Sequence, residues 1–155
     1  MNHNNHGASG HADLNGIKLY HELYGQGEPL VLLHGGLMTI GEMSTLLEPL
    51  ARTRRVIAVE LQGHGRTADT DRPLKLETLD DDIAALLGQL DIAKADVVGL
   101  SLGGAVGLRG GDQRGTGVPQ FSYLVDNADN DLLPNLLNRV GIPNAVLVMT
   151  STVRR

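Results

Sequence analysis

The chain has no cysteine and no tryptophan, and three tyrosines and one phenylalanine are its only aromatics. Without cysteine there is no disulfide framework, no thiolate nucleophile and no Cys-based zinc site. Scarce aromatics leave the core to Leu, Val, Ile and Ala. There is no basic excess: 13 Lys and Arg face 18 Asp and Glu, a net charge of −5. That balance argues against a nucleic-acid or anionic-membrane partner. No apolar run approaches the roughly 18 residues of a membrane span. The amino terminus lacks the apolar stretch of a signal peptide. The expectation is a soluble, cytoplasmic protein, and 155 residues suit one domain.

Residues 1–11 are mostly Asn, His, Gly and Ser and read as a disordered leader. Their histidines, His3, His6 and His11, could chelate a metal, but a polar tail needs no such explanation, and no metal site is expected. Regular patterning begins at residue 12. Ile17, Leu19, His21 and Leu23 alternate with polar residues, the period of a half-buried strand. Leu30–Leu33 is continuously apolar, as in a strand buried on both faces. Glu42–Ala51 has helical spacing, Arg55–Leu61 reads as a second buried strand, and Leu79–Leu90 as an amphipathic helix. Asp96–Leu100 is a third buried strand. The alternation predicts an α/β fold, a mostly parallel sheet with flanking helices. Sites in such sheets gather beyond the carboxyl ends of the strands.

Three motifs lie at those ends. Gly99-Leu100-Ser101-Leu102-Gly103 is a Gly-x-Ser-x-Gly pentapeptide between a strand and a helix, the pattern of a nucleophile elbow. His34-Gly35-Gly36 follows the Leu30–Leu33 strand. Acyl transfer builds negative charge on a carbonyl oxygen, so a site needs N–H donors aimed at it. A His-Gly-Gly turn exposes such donors, and Leu102 offers another at the start of its helix. The plainer reading is a glycine turn between strand and helix. Gly63-His64-Gly65-Arg66-Thr67 follows the next strand. Gly63, Gly65 and Ala68 fit a dinucleotide fingerprint, but the Thr/Asp-rich, Pro73-interrupted continuation predicts a loop bordering the site, and no cofactor is expected.

In order and spacing these three motifs resemble the α/β-hydrolase family, over residues 12 to about 108. The resemblance implies that Ser101 is the nucleophile and that the amides of the Gly36–Leu37 turn and of Leu102 bind the oxyanion. It also implies a small bacterial esterase-like branch, carboxylic-ester hydrolysis through an acyl-enzyme, and a small ester-like substrate.

A serine hydroxyl needs a base, normally a histidine held by a carboxylate, and in this family both follow the serine in the chain. All six histidines precede Ser101. His34 belongs to the oxyanion turn and His64 to a loop bordering the site; either could approach Ser101, so a substitute base would come from His64, from His34 or from a partner chain. Asp126, Asp129 and Asp131 could nominally supply the acid, though their loop reads as a solvated turn. The Asp80-Asp81-Asp82 run reads as helix N-terminal charge.

By likeness to the family the chain is a truncated core, 12–109, followed by a divergent or aberrant tail, 110–155. The tail contains no Lys, Glu or His, and Gly110, Gly111, Gly115 and Gly117 oppose continuation of the elbow helix. A frameshift after Arg109 and a divergent or internally deleted hydrolase both account for it. Within the tail, Leu132–Val140 could form a short helix and Asn144–Thr150 a strand. The functional expectation is therefore a serine hydrolase whose activity is in question, or else a pseudoenzyme or binding module that could dimerise through an exposed sheet edge.

Overall fold

The computed structural model describes residues 6–113 and 148–154. Among these, six strands form one sheet in the order β1-β2-β4-β3-β5-β6. They are β1 (His6–Leu14), β2 (Ile17–Tyr24), β3 (Glu28–Leu33), β4 (Arg54–Val59), β5 (Lys94–Leu100) and β6 (Val148–Arg154). β3 is the hub. It pairs in parallel with β4, Leu33 opposite Val59, and with β5, Leu33 opposite Gly99. β2 joins β4 antiparallel, β1 joins β2 antiparallel, and β6 lies antiparallel along β5. The sheet is therefore mixed, and its parallel part is the central β4-β3-β5 group.

The strands bury both faces because alternate residues of β3 enter different clusters. Val31 and Leu33 pack with Ile57, Val59 and Val97. That face is covered by Leu79, Ile83, Leu86 and Leu87 of α2 (Leu76–Gln89) and by Val106 of α3 (Leu102–Gln113). Leu30 and Leu32 point the other way, with Val56, Ala58 and Val98, against Leu46, Leu47 and Leu50 of α1 (Ser44–Leu50). Period-2 alternation in a strand thus makes the three layers of helix, sheet and helix.

Several expectations change. Residues 1–5 lie outside the described residues, but from His6 the polar leader is the edge strand β1. Its backbone ladder to β2 supplies the hydrogen bonds, and only Ala12 and Leu14 of it are buried. The helix expected over Glu42–Ala51 begins as a 3-10 turn, Ile40–Met43, before α1. The Asp80-Asp81-Asp82 run does not cap a helix. α2 starts earlier, at Leu76, so these residues lie beyond its first turn, and Asp82 is a buried ion-pair partner of Arg72. α3 runs through Gly110 and Gly111 to Gln113, with Arg109 reaching Glu77 of α2 at 3.3 Å, so packing overrides the glycine penalty there. Asp126, Asp129, Asp131 and the Leu132–Val140 segment lie outside the described residues. Among the described residues no helix is long and apolar enough to cross a membrane.

Candidate active site

The shared register of β3, β4 and β5 brings three chain segments to one end of the sheet: His34 after β3, Glu60 after β4 and Ser101 after β5. Ser101 is exposed and has a φ of +50°, left-handed backbone that an L side chain adopts only under constraint. The constraint is packing. A Cβ on Gly99 would lie 2.3 Å from the carbonyl carbon of Gly103, and a Cβ on Gly103 would lie 2.5 Å from the carbonyl oxygen of Leu33. Only glycines let strand, turn and helix approach this closely. The Gly103 N–H donates to the His34 carbonyl at 3.1 Å, and the Ala105 N–H donates to the Ser101 carbonyl at 3.0 Å. The sequence expectation of a strand-turn-helix elbow is met.

The His34–Met38 turn lies against the elbow. A Cβ on Gly35 would sit 3.7 Å from Ser101 Cβ and 3.0 Å from Met38 Sδ. Met38 N–H closes the turn on the Gly35 carbonyl at 3.3 Å. Leu37 has a φ of +62° and is 97% exposed. The amides of Gly36 and Leu37 carry no acceptor among the described residues, nor does that of Leu102, which opens α3. The structure thus brings Gly35, Gly36, Leu37 and Leu102 to the Ser101 end of the sheet.

Neither site histidine is hydrogen-bonded to the Ser101 hydroxyl. His34 is buried. Its Nε2 accepts the Leu61 N–H at 2.9 Å, so Nδ1 carries the proton and donates to the Gly35 carbonyl at 2.7 Å. Burial holds its pKa below the ordinary histidine value. With both nitrogens engaged, His34 has no lone pair to offer as a base. His64 packs beside it, ring centroids 4.8 Å apart. Its Nδ1 donates to the Gln62 carbonyl at 2.9 Å, which leaves the lone pair on Nε2.

The Gly63–Thr67 loop is built around a buried carboxylate that sequence reading passed over. Glu60 is fully buried and accepts from the Arg66 backbone N–H at 2.6 Å, from Arg66 Nη2 at 2.7 Å and from the Ile40 N–H at 3.3 Å. Burial opposes its ionisation, yet the bonds from Arg66 and Ile40 outweigh it and hold the carboxyl below the usual range. Gly65, at a φ of +52°, is obligatory because a Cβ would fall 2.3 Å from Glu60 Oε2. Arg66 also stacks on the Tyr20 ring at 3.8 Å and reaches Glu22 at 3.0 Å. No helix starts here, so the dinucleotide alternative fails. Further along, Arg72 forks onto Asp82 while its Nε donates to Gln62, tying the loop to α2. An acidic residue ending an apolar strand, with arginine six positions on, was the available signal. No group of three or more His, Cys, Asp or Glu that could hold a metal ion occurs among the described residues.

The model of the Alpha/beta hydrolase family matches residues 30–152. The chain belongs to the alpha/beta hydrolase family. This hydrolase-family chain is 46% identical over 91 residues to the dihydrolipoyllysine-residue acetyltransferase component of the acetoin cleaving system of Pseudomonas putida, covering 56% of the chain and 24% of that protein. It is 29% identical over 150 residues to a soluble epoxide hydrolase of Corynebacterium sp. (strain C12), covering 88% and 47%. Among solved structures, Est816, described as an N-acyl homoserine lactone degrading enzyme, superposes with a TM-score of 0.65 at 30% identity, covering 70% of this chain and 42% of that one. The chain spans a quarter to about half of the length of the relatives it matches. The family match runs past Arg109 into the segment expected to be divergent.

Proposed function

We propose that the chain hydrolyses carboxylic esters through an acyl-enzyme on Ser101. The observation that carries this is the left-handed, exposed Ser101 held between Gly99 and Gly103, beside a turn whose Gly36 and Leu37 amides carry no acceptor among the described residues. Ser101 Oγ attacks the ester carbonyl carbon and passes its proton to a base. The charge on the carbonyl oxygen is met by the amides of Gly36 or Leu37 and of Leu102. The alkoxide leaves with that proton as an alcohol, and water then releases the acyl group as the acid. We assign the base to His64 Nε2, whose lone pair is left available because Nδ1 donates to the Gln62 carbonyl. A lactone is an internal ester, so the likeness to Est816, an N-acyl homoserine lactone degrading enzyme, supports the substrate class.

A second reading, a pseudoenzyme or binding module that takes ester-like ligands without turnover, is favoured by one observation: among the described residues nothing is hydrogen-bonded to the Ser101 hydroxyl. One experiment separates the two. The purified chain is treated with a fluorophosphonate, beside Ser101→Ala and His64→Gln. Labelling at Ser101 that is lost in the first variant and slowed at least about 100-fold in the second supports the ester-hydrolase reading. A cooperatively melting wild type that stays unlabelled refutes it in favour of the binding reading.

A further inference from the structure

His34 is in contact with all three segments that meet at the site. Its ring accepts from Leu61 just beyond β4 and donates to Gly35 in the turn, and its carbonyl receives the Gly103 N–H of the elbow helix. Gly35 O also accepts from Met38, so the carbonyl that His34 holds is the one that closes the turn. The ring offers a donor and an acceptor on separate nitrogens, in a place with no water to substitute for either: His34 is 1% exposed. Removing the Nε2 acceptor strands the buried Leu61 N–H, while removing the Nδ1 donor leaves Gly35 O held by Met38 alone.

We propose that His34, as the neutral Nδ1–H imidazole, is a positioning residue that fixes the Gly36 and Leu37 amides relative to Ser101 by clamping the turn to the segment just beyond β4. This rests on the reading of those amides as oxyanion donors. Protonation would place a second N–H on Nε2, facing the Leu61 N–H donor head to head, and would release the clamp. The charged and titratable groups around the ring are His64 beside it, and the carboxylates of Glu60 and Glu42. Glu60 is engaged by Arg66 and Ile40, and Glu42 by Thr39. His64 opposes a charge on His34 and the two carboxylates favour one, but burial outweighs them, so the clamp is closed at neutral pH.

Half-isosteres separate the two bonds. Asparagine at 34 can keep a donor near the Nδ1 position, glutamine can keep an acceptor near the Nε2 position, and leucine keeps neither. Ring 15N shifts of the wild type should show a protonated Nδ1 and a bare Nε2 at pH 7.5. An Nε2–H tautomer or an imidazolium there overturns the proposal. His34→Leu should slow fluorophosphonate labelling of Ser101 about 100-fold, with His34→Asn and His34→Gln between it and wild type. Amide exchange at Leu61 and Met38, the hydrogen-bonded N–H groups of the clamp, should quicken in the same order. Once corrected for the intrinsic pH dependence of exchange, acid pH should lower their protection in wild type and leave it flat in the Asn and Gln variants. Should His34→Leu fail to fold, those two carry the test. Unchanged exchange at Leu61 and Met38 in folded variants overturns the proposal, as do losses that merely track the unfolded fraction. If wild-type Ser101 is never labelled, the nucleophile reading fails, while His34 is still judged by the ring shifts and the two amides.

Discussion

Gly103→Ala tests whether close backbone contact builds the elbow. The added Cβ would meet Leu33 O at 2.5 Å, Leu33 Cβ at 2.6 Å and His34 O at 2.7 Å, all closer than the 3.0 Å that real Cβ atoms respect. Two of these are backbone atoms at the end of the central strand and cannot rotate away. Overpacking of this kind costs about 1–3 kcal/mol, and the upper part applies where no flexible side chain can give. Moving the helix outward also stretches the bond from Gly103 N–H to His34 O, worth about 1 kcal/mol. Against this, alanine gains about 1 kcal/mol of helix propensity over glycine. The balance is a loss of about 2–3 kcal/mol, read in urea melts as a lower midpoint at unchanged slope. In thermal melts it is a fall of about 4–12 °C for a domain of this size. Gly36→Ala is the matched control, because a Cβ there meets nothing within 4 Å. It should stay within about 0.5 kcal/mol of wild type. A Gly103→Ala protein as stable as the Gly36→Ala control would refute the reasoning.

Ser101→Gly should be about 1 kcal/mol more stable than Ser101→Ala, because glycine adopts the left-handed backbone without the Cβ penalty; equal urea midpoints would remove the strain argument. Asp82→Asn should cost about 2–4 kcal/mol, since it leaves the Arg72 guanidinium beside a neutral partner that is 1% exposed. That loss should persist in 1 M salt, where a surface pair would be screened. Acid should destabilise the fold in two stages. His34 and His21 are both held below the ordinary histidine value by burial, so the unfolded chain binds protons first. Their contribution is present above about pH 6.5 and is lost as the pH falls toward their folded-state values. Glu60, also lowered, adds its loss below about pH 4.5, approaching its folded-state value. Urea midpoints between pH 8 and 3 check this; a flat profile through the first stage would contradict it.

The central strands, α2 and the elbow were legible because their signals are local. Leu30–Leu33 and Asp96–Leu100 are apolar on both faces, and Leu79, Ile83 and Leu86 keep helical spacing. β1 was not legible, since an edge strand is held by its backbone ladder and His6–His11 has no apolar face to show. Sheet direction was half legible. Alternating strands and helices gave the parallel β4-β3-β5 group, but nothing local states that β2 and β6 run the other way. At the site, residue types and spacing pointed to Ser101, Gly35, Gly36 and Leu102. The fate of the charged residues was hidden, because an Asp82–Arg72 fork or a Glu60 buried under Arg66 depends on tertiary contact. The exclusion of His34 as a base also needed geometry: only its two hydrogen bonds show that the lone pair is spent.

The strand order has a consequence for how the chain is made. β1, β2, β3 and β4 are complete once residue 59 has been synthesised, and they can pair among themselves as β1-β2-β4-β3. In that state β3, the most apolar strand, forms the sheet's open margin. It stays so until β5, from Lys94 onward, leaves the ribosome. At about 5–20 residues per second the interval lasts a few seconds. During it, Leu30–Leu33 offers unpaired amides and carbonyls to any other nascent chain. The arrival of β5 therefore does two things at once: it closes this adhesive edge and delivers Ser101 to its place.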